Sequence, residues 1–522
     1  MKALRILAAI IAVCSIPVIA AAEAQFVGGA GGARSIQAAI DAAKNGDVVI
    51  VRDGVYSGKG NREIDFRGKQ ITVCSENGPG ACVIDCGSRR GFIFRSNEDR
   101  ESILAGLTIV NAAGDGPGGA ILCVNASPVI AGNRIAGNSA ASGAAVYCRN
   151  SSAMIAGNQI AGNRAMRAAG IECSAGSGCI IMGNVIAVND AECVAGGLAV
   201  GGASAMVVSN AILSNTAPIG GGMMIAGSNP IFCNNVIAAN SAQVGGGICL
   251  AGTAGLNVIN NTLAGNTAGI CGGAACLIAA PVMVRSCILW DNKSPEGSQL
   301  ALIASPGVCS ATVRYCDLTG GQNGVMAQRG CSLNWGDGML DVDPLFVDAS
   351  GGNFHLQSRV GRWEHVAGTW VKDDKTSPCI DAGDPTSFFW REIEVNGGRV
   401  NMGAYGNTRE ASRSARSAKP VLETLTLGNP PAERDPAKND NNTVAGDGEQ
   451  TKPAVARTPA SPDINNDGTI DRKDMEEVRS RLNKDPDDPE NAKYDVNGDG
   501  RINILDLIQI RNRMAKDRQE GK

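Results

Sequence analysis

Two stretches near the C-terminus repeat one arrangement of oxygen-bearing side chains. In the first, Asp463, Asn465, Asp467 and Asp474 occupy positions 1, 3, 5 and 12, with Gly468 at position 6. In the second, Asp495, Asn497, Asp499 and Asp506 take the same places around Gly500. A hard cation requires this pattern: carboxylate and amide oxygens converge on it, and glycine permits the sharp turn. Position 7 supplies a backbone carbonyl, from Thr469 and from Arg501, and position 9 acts through water, from Asp471 and Asn503. Ile470 and Ile502 at position 8 suit pairing of one loop against the other. The expected cofactor is Ca²⁺, two ions in all.

The elements around these loops are small. Pro459 and Pro462 leave no room for a helix entering the first loop. Each loop instead runs into one helix-compatible stretch, with Val478 and Leu482 in the first and Ile508 and Met514 in the second. A calcium loop followed by a single helix, duplicated over residues 462–516, resembles a type I dockerin. The resemblance implies a small all-α calcium-binding module and a cohesin-type partner. It places the partner contacts at positions 10 and 11, which are Arg472 and Lys473 in one half and Ile504 and Leu505 in the other. The halves are chemically unlike, which implies one preferred binding face. Residues 412–461, rich in Pro, Ala, Asn and mixed charge, read as a flexible linker.

Upstream, the chain repeats itself. Asn133, Asn158, Asn184, Asn210, Asn235 and Asn261 recur every 25 or 26 residues. A second column holds Asn138, Asn163, Asn189, Asn215, Asn240, Asn266 and Asn292, and between the two runs an aliphatic column of Ile135, Ile160, Ile186, Ile212, Ile237, Leu263 and Ile288. Glycine pairs such as Gly196-Gly197 and Gly246-Gly247 close the units. The apolar pieces are too short for helices and alternate like strands, so the unit is a coil of a β-solenoid. Asparagine tolerates left-handed backbone and suits tight corners. Stacked asparagines can also bond along the solenoid, and the aliphatic column faces inward.

These repeats, with an amphipathic opening at Ile36, Ala39, Ile40 and Ala43 and a closing segment through Asp343-Pro344-Leu345-Phe346 and Asn401-Met402-Gly403, resemble the right-handed parallel β-helix family over residues 35–410. This all-β, pectate-lyase-like fold is expected over residues 25–411, capped at both ends. The resemblance, joined to a dockerin, implies binding or degradation of polysaccharide, and if an enzyme, a lyase or O-glycosyl hydrolase. The residues give no catalytic set. Between Pro128 and Trp290 the only acids are Glu172, Asp190 and Glu192, beside Arg134, Arg149, Arg164 and Arg167. Charge gathers at the ends instead, around Arg95 and Glu98 and around Arg362, His365 and Asp373. Those groups read as capping and loop solvation, and His355 as a strand residue. The alternative is a non-catalytic, adhesin-like surface repeat protein assembled through the same dockerin.

Lys2 and Arg5, an apolar run over residues 6–20 and Ala22-Glu23-Ala24 read as a signal peptide ending at residue 24, so the mature chain is expected outside the cytoplasm with no membrane insertion. Net charge of −4 gives no footprint for nucleic acid. Eighteen cysteines include Cys14, so cleavage leaves an odd number. Cys123, Cys148 and Cys173 share a column, read as a ladder of buried thiols with one disulfide as the alternative.

Overall fold

The computed structural model describes residues 23–415 except 30, 115, 366 and 394–395, and, further on, 461, 463–465, 473–474, 477–478, 481, 491–494 and 496. Cys14, nearly all of the expected signal peptide and most of the expected linker lie outside these residues. The chain divides into two compact units, Met1–Lys419 and Pro420–Lys522.

In the first unit each coil is a set of short strands, such as Val129–Ala131, Arg134–Ala136 and Val146–Arg149. Each strand pairs in parallel with its equivalent one repeat on: Val129 with Met154, Arg134 with Gln159, Val146 with Ile171. Stacking gives three parallel sheets of 13, 11 and 11 strands among the described residues, the right-handed parallel β-solenoid expected from the repeats. The first sheet contains Val129–Ala131, the second Arg134–Ala136 and the third Val146–Arg149.

The corners differ from the expectation in one respect. Left-handed backbone falls on the residue before each ladder asparagine: Gly132 at φ 62° and Asn234 at φ 58° at one corner, Gly137 at 65° and Ala239 at 55° at the other. The ladder asparagines themselves follow the turn, with their amides buried. In the second ladder each side-chain N–H donates to the next asparagine's Oδ1 at 2.9–3.1 Å. The corner therefore uses two residues, one for the turn and one to satisfy the buried backbone it exposes.

The aliphatic column packs inside as expected from Ile135 to Leu263, but its next member is Leu289, not Ile288. The register sets Ile288 opposite Thr262, on the outer face, where Leu356 and Met402 cover it. A shift of one residue along a strand reverses its face, so column spacing alone misplaced it. The glycine pairs mark close backbone approach. A Cβ on Gly246 would lie 2.5 Å from the Thr267 carbonyl oxygen and 2.6 Å from that of Gly273. Cys123, Cys148 and Cys173 are free thiols that stack in register.

Both ends are capped. Helix Ile36–Ala42 starts at Ser35, whose Oγ accepts the Ala38 amide at 3.2 Å, and buries Ile36, Ala39 and Ile40. At the other end two antiparallel hairpins form, Phe346–Asp348 with Asn353–Leu356 and Arg362–Glu364 with Thr369–Val371. The chain then folds back along the outside of the second sheet. Asn260 Nδ2 donates to the Asn401 carbonyl at 2.8 Å, and the Ala404 amide to Thr262 Oγ1 at 3.0 Å. The Asp384 amide donates to Ser286 Oγ at 2.9 Å, and its carboxylate faces Arg314 at 3.1 Å and Arg285 at 3.7 Å. This clasp runs through Ser412, whose hydroxyl donates to the Leu356 carbonyl.

Candidate functional site

In the C-terminal unit the described residues include part of the first oxygen-rich loop. Asp474, at position 12, lies in a helical turn with Lys473 and is fully buried. Its Oδ1 accepts the backbone amides of Ile464 at 2.8 Å and Asn465 at 3.2 Å. Asp474 is thus folded back on the segment that carries Asp463 and Asn465. Ile464, Val478, Tyr494 and Val496 are also buried. Lys493 Nζ reaches the Ile464 carbonyl at 3.2 Å and Glu477 at 3.4 Å, tying the two halves together. Lys473 is exposed. Asp467, Thr469, Asp495, Asn497, Asp499, Arg501 and Asp506, with Arg472, Ile504 and Leu505, lie outside the described residues.

On the solenoid the charged ends are engaged in holding loops. Glu98 is buried and accepts the amides of Gly68 and Ser96, both at 2.8 Å. Arg95 pairs with Asp65 at 2.9 Å, and Arg90 donates to the carbonyls of Gly118 and Pro117. Arg362 lies between Asp373 at 3.0 Å and Glu364 at 2.6 Å. His355 is a buried strand residue stacked on Tyr405, with Nδ1 at 2.9 Å from Asn353 Oδ1 and Nε2 at 3.3 Å from Glu410. The His355 bond holds the Glu410 carboxyl below its usual range. Of the mid-solenoid acids, Asp190 pairs with Arg164 at 2.9 Å. Glu172 bonds Ser142 Oγ, and burial raises its pKa against the pull of Arg167. No three acidic, histidine or cysteine side chains among the described residues converge as a metal centre.

Two further acids sit in the clasp. Asp317 is fully buried, accepts the Val342 amide at 3.1 Å and the Cys379 thiol at 3.2 Å, and burial pushes its pKa up to about 6. Glu392 accepts the amides of Asn401 and Asn407 through one oxygen while the other is buried without a partner, and burial pushes it up to about 7.

Where the first hairpin overhangs the second sheet it leaves a cleft of about 700 Å³. Its floor is the outward column Leu213, Ala238, Ala264 and Trp290, one residue per coil. Its wall is Phe346 and Phe354, whose rings meet edge to face at 5.2 Å. Asp291 and Asp343 are the only charged side chains among its described lining. The sequence reading missed this cleft. Its one legible signal is Trp290, which ends a column of Ala136, Ala161, Ala187, Leu213, Ala238 and Ala264.

The fold defines a right-handed parallel β-helix protein carrying a second, smaller C-terminal unit. Comparison with known families agrees. The right handed beta helix region family matches residues 119–277, and the dockerin type I domain family matches residues 461–515. A disaggregatase related family matches residues 322–383. The chain is therefore a β-helix protein with a C-terminal type I dockerin domain, and type I dockerins are calcium binders. No curated protein matches it. Similar solved structures include the catalytic domain of a GH87 alpha-1,3-glucanase in complex with tetrasaccharides, at 12% identity and TM-score 0.30, covering 63% of this chain and 70% of that one. Pectate lyase Pel9A is 14% identical at TM-score 0.36, covering 74% and 96%. The PL6 family alginate lyase AlyGC is 13% identical at TM-score 0.37, covering 68% and 57%. Likeness at this level speaks to neither activity nor substrate. No helix among the described residues is long and apolar enough to cross a membrane.

Proposed function

We propose that this is an exported, dockerin-tethered β-helix protein whose solenoid engages polysaccharide. The carrying observation is the buried Asp474 carboxylate closed onto the Ile464 and Asn465 amides. One Ca²⁺ would be held by Asp463, Asn465, Asp467, the Thr469 carbonyl and Asp474. A second would be held by Asp495, Asn497, Asp499, the Arg501 carbonyl and Asp506. The ions neutralise and gather carboxylates that otherwise repel, which fixes the module's helices. A cohesin-type partner would then dock across Arg472 and Lys473 or across Ile504 and Leu505, in one orientation because the faces differ in charge and polarity. Export through the segment ending at residue 24 accords with a tether that acts outside the cell.

The cleft with its tryptophan floor supports carbohydrate engagement, since aromatic rings give large apolar contact to the faces of sugar rings. Glu98, Asp373 and Asp384 hold loops, and the carboxylates that line the cleft are Asp291 and Asp343. Glycoside hydrolysis ordinarily uses two carboxylates flanking the bond.

The test uses the full chain. Ca²⁺ added to EGTA-treated protein should raise the helical circular-dichroism signal and leave the β-signal unchanged. The Asp474→Ala, Asp506→Ala double variant should show no such rise. Identical spectra with and without Ca²⁺ in the unmodified protein would end the docking reading. A product assay across polysaccharides separates binding from cleavage.

A further inference from the structure

The reading of the solenoid as a polysaccharide surface leaves the kind of sugar open, and the cleft carries an answer. We infer that the cleft beneath the Phe346–Leu356 hairpin takes an uncharged glycan chain and excludes polyuronates. This inference rests on the proposed polysaccharide engagement and gives it a substrate class.

The floor runs across the strands, from Leu213 to Trp290, so it spans four coils, or about 14 Å at the usual strand spacing. Ala238 and Ala264 are buried against Phe354, so a chain entering the cleft would meet the half-buried Leu213, Trp290 and Phe346. Phe346 and Phe354 close one side, and both belong to the hairpin clamped by the clasp. The cleft is thus a preformed slot with an aromatic end, the usual form of a small-molecule or chain site.

Its charge is one-sided. Asp291 and Asp343 line it, and no Lys or Arg does so among the described residues. Asp343 is held in place, its Oδ1 accepting the Leu345 amide at 2.9 Å. Asp348 adds a third carboxylate at the hairpin turn, where the Ser350 hydroxyl and Gly351 amide hold it below the usual carboxylate range. Lys293, a nearby cation, is 70% exposed and stands 3.9 Å from Asp291, a loose surface pair. A polyuronate brings a carboxylate on every sugar. Recognition of carboxylates relies on Arg or Lys donors, and here each would face like charge instead. Neutral hydroxyls meet no such penalty, and the two aspartates accept hydrogen bonds from them.

The test is affinity electrophoresis of the full-length protein with Ca²⁺ present at low ionic strength, where like-charge repulsion reaches furthest. Gels carry one of three neutral polysaccharides (xylan, mannan, mixed-linkage glucan) or one of two polyuronates (polygalacturonate, alginate). The expected result is retardation by at least one neutral polymer and by neither polyuronate. Trp290→Ala should weaken neutral binding about tenfold, the loss of one aromatic contact. Asp291→Asn with Asp343→Asn should admit polyuronate, and continued exclusion of both polyuronates by that variant would overturn the charge argument. Polyuronate retardation that Trp290→Ala abolishes would overturn the substrate class while leaving the polysaccharide reading intact. Neutral binding unchanged in Trp290→Ala would overturn the site. Retardation by no polymer would overturn the polysaccharide reading and this inference together.

Discussion

Replacing Asn215 by alanine tests the ladder that holds the solenoid's corners. Asn215 is fully buried, and its side chain makes four hydrogen bonds. Its Oδ1 accepts the Asn189 amide at 3.0 Å and Asn189 Nδ2 at 2.9 Å; its Nδ2 donates to the Ile186 carbonyl at 2.9 Å and to Asn240 Oδ1 at 3.1 Å. A buried neutral hydrogen bond contributes about 1 kcal/mol net, so the substitution costs about 4 kcal/mol, more if the Asn189 amide is left without an acceptor. Solenoids unfold in segments rather than at once, so one global midpoint is a poor readout. Hydrogen exchange read by mass spectrometry resolves the coils: peptides spanning residues 184–192 and 210–218 should lose protection, while those near the N-terminal helix keep it. Gln159→Ala, on the exposed outer face one position past the Asn158 ladder, is the control and should change stability by no more than about 0.5 kcal/mol. If Asn215→Ala leaves exchange in both peptides within about 1 kcal/mol of the unmodified protein, the stacked amides are not what secures the corner.

Two other outcomes follow from the same physics. Gly246→Ala drives a methyl into two backbone carbonyls of the next coil and should destabilise by about 1–3 kcal/mol, whereas Gly80→Ala, with open space at its Cβ, should be near neutral in the same denaturation series. The clasp should weaken as pH rises. Asp317 binds its proton more tightly in the folded state, near pH 6 against an ordinary 3.8, so its stabilising contribution is complete below about pH 3.8 and lost as pH passes 6. Glu392 behaves alike, from 4.5 to about 7. Each shift is worth on the order of 3 kcal/mol. Limited proteolysis after residue 340 should therefore be faster at pH 8 than at pH 5, and Asp317→Asn should flatten that difference; equal rates in the unmodified protein would contradict it.

The solenoid was legible because its physics repeats. An asparagine that must bond its counterpart one coil away has to recur at the coil period, and so does a glycine that lies against the next coil's carbonyl. The corners were read one residue out of place, since the spacing fixes a period and not which residue of a pair takes the left-handed turn. Ile288 was misassigned for a related cause: where the repeat ends at Trp290, only the strand register tells an inward residue from an outward one. The clasp left no such trace. Asp317 with Cys379, Asn260 with Asn401 and Thr262 with Ala404 are single contacts across 62 to 142 positions, made once and without periodicity.

That contrast also locates specificity. Residues repeated in every coil serve stacking, and a surface built from them alone would be the same at each level. Distinct chemistry can enter only where the period breaks. Trp290 ends a column of small side chains, Asp291 stands where earlier coils carry Gly162, Val188, Ser214, Ala239 and Gly265, and the hairpin arrives over them once. The same reasoning applies to the tether, whose two loops share their ligand positions but differ at Arg472 and Lys473 against Ile504 and Leu505. In the solenoid the repeated residues build the frame, and the proposed partner sites of both units fall at departures from the repeat.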